Sequence, residues 1–88
     1  MTVHLLIKGK VQGVFFRASA KQEADALGIT GWIKNHPSGD VEIIAEGAKE
    51  KLDQFVSWCL KGPKGAEVAN VATEEIQPIH STSFSITK

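Results

Sequence analysis

The apolar residues near the N-terminus change their spacing once, and that change limits the fold of this chain more than any other feature. Val3, Leu5 and Ile7 alternate with His4, Leu6 and Lys8, which is strand spacing with apolar residues on both sides, so a central strand is predicted. From Phe16 the spacing becomes Phe16, Ala20, Ala24 and Leu27, a helical stripe closed by Gly28. Between the two lies Gly9-Lys10-Val11-Gln12-Gly13-Val14-Phe15-Phe16-Arg17, a glycine-punctuated loop that runs from a strand into a helix. Gly9 and Gly13 permit torsions and close approaches that turn successive N–H groups inward around an anion. The helix N-terminus adds unpaired donors and a positive dipole. Arg17 brings a planar fork that grips two oxygens of a phosphoryl or carboxylate group at once. A plain change of direction is the alternative use of such a loop. The chain has neither G-x-x-x-x-G-K-[ST] nor a G-x-G-x-x-G after the first strand, so the expected ligand is smaller than a nucleotide.

The remaining segments complete an order. Ile29 to Asn35 reads as extended, His36-Pro37-Ser38-Gly39 supplies turn chemistry, and Val41, Ile43 and Ala45 alternate with Asp40, Glu42 and Glu46 as a hairpin partner. Leu52, Phe55, Val56, Cys59 and Leu60 then fall at helical spacing after a break at Gly47. Gly62-Pro63-Lys64-Gly65 stops that helix; a strand with a bulge is predicted within Glu67 to Ile76, and a short terminal one around Phe84 and Ile86. The order β-α-β-β-α-β predicts an α+β, ferredoxin-like sandwich: a four-stranded antiparallel sheet, with room for a short fifth strand, and two helices on one face. In that topology the first two strands run parallel with the third between them, so their C-terminal ends share a rim. Two inter-strand spacings, roughly 10 Å, then separate Arg17 from Asn35, a gap that a phosphate and a water can fill.

Composition narrows the function. With 88 residues the chain is expected to be one domain, 1–88, with its site on the rim of a single core. Ten basic residues balance ten acidic ones, so no general attraction to nucleic acid or to an anionic membrane is expected, although Lys8, Lys10 and Arg17 make a local positive spot. Cys59, the only cysteine, excludes an internal disulfide framework and any multi-cysteine metal site, and in the helical stripe it reads as a small buried hydrophobe. The stretch Val3–Ile7 is too short for a signal peptide's apolar region, and no segment reaches membrane-spanning length. A cytoplasmic monomer acting on a small molecule is the expectation. His4 and His80 lack a clustered partner, and His36 reads as turn filler or as a tuner of Asn35. Trp32 contacts a substrate or packs on the sheet, and Trp58 lies beside the main stripe of the second helix.

The first loop, a glycine, a V-Q-G-V core, then an aromatic and an arginine, resembles the acylphosphatase signature. Gly31-Trp32-Ile33-Lys34-Asn35 with Gly39, Val41 and Gly47 is similar to that family's second motif, and Gly62-Pro63 and Phe84-x-Ile86 extend the likeness over almost the whole chain. Ile33 and Ala18 depart from the family pattern as bulkier and smaller residues respectively. The resemblance implies hydrolysis of acyl phosphates without metal or cofactor. It implies that the amides of Gln12, Gly13, Val14, Phe15, Phe16 and Arg17 hold the phosphate with the Arg17 guanidinium, and that Asn35 positions the attacking water. Asn35 capping its own turn is the competing role. The chemistry needs no strong acid, because a carboxylate leaving group has a conjugate acid of pKa about 4. An RNA-binding module of the same topology is disfavoured by the missing R/K-G-F/Y-G/A-F-V-x-F/Y aromatics and the neutral charge. A regulatory domain that binds phosphate without turnover would keep the same cradle.

Overall fold

Strand and helix periods occur where the apolar spacing puts them. The computed structural model describes residues 1–87. In chain order the elements are β1 (Thr2–Lys10), α1 (Phe16–Leu27), β2 (Thr30–Asn35), β3 (Val41–Glu46), α2 (Lys49–Lys61), β4 (Glu67–Glu75) and β5 (Phe84–Ile86). The sheet order is β4-β1-β3-β2-β5, with β1 antiparallel to both β3 and β4, β2 antiparallel to β3, and β5 parallel to β2. This is the ferredoxin-like arrangement with the fifth strand present, and β1 is interior as its two-sided apolar pattern requires.

Register decides which residues reach the site. Ile7 is opposite Val41 and Val41 is opposite Asn35, so these three form one row on the helix-covered face at the C-terminal ends of β1 and β2. The next rows inward, Leu5–Ile43–Ile33 and Val3–Ala45–Gly31, are buried and carry the core. Ala20 and Ala24 of α1 and Leu52, Phe55 and Cys59 of α2 close over them, and Phe84 of β5 joins the same cluster. Burial pushes the Cys59 thiol far up from its ordinary pKa, as an apolar stripe predicts. Leu60, placed by spacing on that stripe, is instead 56% exposed, because the buried face is centred on Leu52, Phe55 and Cys59 and at about 100° per residue Leu60 falls on its flank. Trp58 edges onto Phe16, with ring centroids 5.4 Å apart, and so ties α2 to the start of α1.

A second set of side chains falls on the sheet's other face, away from the site rim. Trp32 aligns with Ile44 and His4 there, under the Lys34 ammonium 5.2 Å from its ring, so it packs on the sheet and takes no part in the rim. His4 has a partner that its spacing did not reveal: Glu42, at 2.7 Å, whose carboxyl this contact holds below its usual range. The cross-strand diagonal supplies it. Gly9 also serves the sheet and not the loop. The register shifts between Lys8 and Gly9, which pair with Asn70 and Val68 and leave Ala69 as the bulged residue, and a Cβ on Gly9 would strike the Glu67 carbonyl oxygen.

The connection from β4 to β5 is anchored by one carboxylate. Glu46 accepts the Thr2 hydroxyl at 2.6 Å and the N–H groups of Ile79, His80 and Ser81 at 2.9, 3.3 and 2.9 Å. The Thr2 hydroxyl is the largest influence and, with the amides, holds the Glu46 carboxyl down to about 2 against the opposing effect of burial. This anchor places β5 beside β2.

Candidate active site

The loop after β1 is a nest of backbone amides. Gly13 and Phe15 have φ of 74° and 61°, while Val14 and Phe16 lie outside the positive region, and alternation of this kind turns consecutive N–H groups to one side. Phe15 is the N-cap of α1 without a side-chain cap, and the first helical bond runs from the Ser19 N–H to the Phe15 carbonyl at 3.0 Å. From Gly13 to Arg17 the N–H groups meet no acceptor among the described residues. The side chains of Val14 and Phe16 turn into the core, so these two can serve a ligand only through the backbone.

Arg17 and Asn35 meet at one hollow. It has a volume of about 320 Å³, and its walls are Val11, Gly13, Phe15, Phe16, Ala18 and Ile86 together with those two polar residues. Arg17 lies in the first turn of α1, where the dipole opposes a cation, and its Nη1 donates to the Thr87 carbonyl at 3.2 Å. Thr87 is held in turn by its N–H on the Ile33 carbonyl at 2.8 Å. One edge of the guanidinium is thereby fixed while the other nitrogens remain without protein partners among the described residues. The Asn35 side chain makes no hydrogen bond there either. The adjoining turn is held by other groups: His36 Nδ1 meets the Ser38 hydroxyl at 2.9 Å and accepts the Ser38 N–H at 3.2 Å, and the hydroxyl donates to Asp40 at 3.0 Å. His36 therefore fills the turn.

Two supporting contacts escaped the sequence reading. The Gln12 amide, expected to matter through its backbone, donates from Nε2 to the carbonyls of His36 and Asp40 at 2.9 and 2.8 Å. It bolts the amide nest to the turn that follows Asn35. The Thr87 carbonyl on Arg17 is the second. Both depend on contacts between residues far apart in the chain, and no local spacing signals them; a glutamine inside a glycine loop is the only hint. Ile33, bulkier than expected, is buried in the core and does not line the hollow, whereas Ala18 does line it and leaves room beside Arg17. No helix is long and apolar enough to cross a membrane, and no cluster of three or more His, Cys, Asp or Glu side chains fit to hold a metal occurs among the described residues.

Comparison with known proteins gives a consistent result. The family model described as Acylphosphatase matches residues 3–86. An acylphosphatase of Marinobacter nauticus is 52% identical over 73 residues, covering 83% of this chain and 79% of that protein. Among solved structures, acylphosphatase from Bacillus subtilis superposes with a TM-score of 0.95 at 33% identity, covering 99% of this chain and 98% of that one. An acylphosphatase from Coxiella burnetii gives 0.95 at 41% identity, with 98% and 90% covered.

Proposed function

We propose, from the premise that this chain belongs to the acylphosphatase family and hydrolyses acyl phosphates, a mechanism of direct water attack on phosphorus at the rim hollow. The phosphate sits on the amides from Gln12 to Arg17 and against the free edge of the Arg17 guanidinium. Asn35 accepts a hydrogen bond from a water and aims it at phosphorus, opposite the departing oxygen. The new P–O bond forms as the P–O bond to the carboxyl group breaks. The water's proton passes to a phosphate oxygen, giving a carboxylate and inorganic phosphate. The leaving group is a weak base and needs no proton, so positioning and charge stabilisation suffice.

The observation that carries this reading is the convergence of an Arg17 fork and an unengaged Asn35 amide on one hollow at the uncapped start of α1. The hollow's walls come from β1, α1, β2 and β5 and the segments beside them, and the reading is of a single domain, 1–88, acting as a monomer on a small molecule. The lone buried Cys59 fits a reducing cytoplasmic setting.

Two variants test it because they should fail differently. Arg17→Ala removes a charge used in both ground and transition states, so inorganic phosphate should inhibit more weakly and kcat should fall by about 10³ or more. Asn35→Ala leaves the cradle whole, so phosphate inhibition should persist while kcat falls by about 10². An Asn35→Ala enzyme with normal kcat and weakened phosphate inhibition would refute the water-positioning role.

A further inference from the structure

β5 contributes to the site but is too short to hold itself there. It has three residues, pairs only with β2 and ends the sheet, yet Ile86 lines the hollow and the Thr87 carbonyl just beyond it accepts Arg17 Nη1. An edge strand of this length is marginal by itself. Two charged side chains secure it. Lys21 lies one turn after Arg17 on α1 and reaches the same strand, its Nζ donating to the Phe84 carbonyl at 2.9 Å as Arg17 donates to that of Thr87. Asp25 holds the other side of the ammonium at 3.0 Å. At the far end Glu46 accepts the N–H groups of Ile79, His80 and Ser81, and among the described residues no other hydrogen bond reaches 77–82. His80 takes a φ of 54° in that turn and the Ser81 hydroxyl is enclosed without a partner among the described residues, so the connector is shaped around the carboxylate and not around its own side chains.

We infer that Lys21 and Glu46 are positioning residues for Arg17: through β5 they keep the Thr87 carbonyl where it fixes one edge of the guanidinium, and so pre-organise the other edge for phosphate. The inference rests on Arg17 being the phosphate-binding group. Neither residue lines the hollow, and Glu46 pairs with Thr30 at the opposite end of β2 from Asn35, about 17 Å away along the strand. An arginine without its brace loses more rotamer freedom when phosphate binds, and affinity falls accordingly. The opposite charges of the two residues separate this role from simple electrostatics. Removing the Lys21 cation weakens the attraction of an anion to the site, whereas removing the Glu46 carboxylate strengthens it. A field effect therefore shifts phosphate affinity in opposite directions, and a placement effect shifts it in the same direction.

The experiment measures inhibition of acetyl phosphate hydrolysis by inorganic phosphate at pH 7 in the unmodified enzyme, Lys21→Met, Glu46→Gln and Arg17→Ala, with folding checked by circular dichroism. Lys21→Met and Glu46→Gln should both weaken inhibition, by roughly two- to tenfold, the effect of leaving one long side chain for the ligand to immobilise. KM for acetyl phosphate should rise in step while kcat holds, because Asn35 is untouched. Lys21→Arg should recover most of the affinity. Leu52→Ala, a core variant that loses stability without touching β5's anchors, should leave inhibition unchanged. Thr2→Val loosens the Glu46 anchor with no change of charge, so it should weaken inhibition too and replaces Glu46→Gln if that variant does not fold. Opposite shifts in Lys21→Met and Glu46→Gln, or no shift in either while Arg17→Ala weakens inhibition, would overturn the positioning role and leave the cradle standing. Inhibition that survives Arg17→Ala would instead defeat the reading of Arg17 on which the role depends.

Discussion

Gln12 offers the most demanding check of how the site is held, because one amide nitrogen joins the glycine loop to the turn after Asn35. Its Nε2 donates to the His36 and Asp40 carbonyls at 2.9 and 2.8 Å, and all three residues are half-buried. A neutral hydrogen bond is worth about 0.5 to 1.5 kcal/mol net, and water can recapture part of two half-buried carbonyls. Gln12→Ala should therefore lower stability by about 1 to 2 kcal/mol, independently of pH. Gln12→Glu keeps the shape but at neutral pH points a carboxylate at two carbonyl oxygens, so its deficit should be larger. That carboxyl has its folded pKa raised above the unfolded value of about 4.3, since its charged form is disfavoured. The sign follows: the extra deficit is present above the raised pKa and disappears as pH falls toward the unfolded value, where a protonated carboxyl can donate one bond. Urea melts followed by tryptophan fluorescence at pH 7 and pH 4.5 measure both effects. Turnover should fall by roughly ten- to a hundredfold in Gln12→Ala, because loop and turn lose their common reference. Melting midpoints equal to the unmodified protein at pH 7, or a Gln12→Glu deficit that does not shrink on acidification, would refute the strut.

Two further outcomes are expected. Leu52→Ala removes a side chain buried under α2 and should cost about 2 to 5 kcal/mol in a denaturation midpoint, while the kcat of the folded fraction stays unchanged. Glu46, whose carboxyl is lowered to about 2, contributes stability that is fully present above its ordinary pKa near 4.5 and lost as pH falls through about 2; Glu46→Gln should flatten acid unfolding in that window, read by circular dichroism.

The sequence was sufficient for the elements and for their order, because each is written in spacing between neighbours. Val3, Leu5 and Ile7 alternate, Phe16, Ala20 and Ala24 repeat helically, and all six are buried where those periods put them. The loop's place at the hollow was legible for the same reason: a glycine loop entering a helix with an arginine in its first turn is a local pattern. The bulge was also foreseen, though only the register placed it at Ala69, opposite Gly9.

What spacing does not carry is the identity of distant partners. A period says that a residue faces inward and not what it meets, so Leu60 was assigned to a stripe whose buried face stops at Cys59. Asn35 reaches the hollow because two antiparallel registers put it in one row with Val41 and Ile7. Gln12 became a strut and Thr87 a brace for Arg17 through contacts 24, 28 and 70 residues apart in the chain. Such contacts are set by how strands align once the core closes, and they carry no local signature. Phe15 belongs to both accounts: its place in the loop could be read, but its left-handed backbone and outward ring exist only once the nest has folded around them.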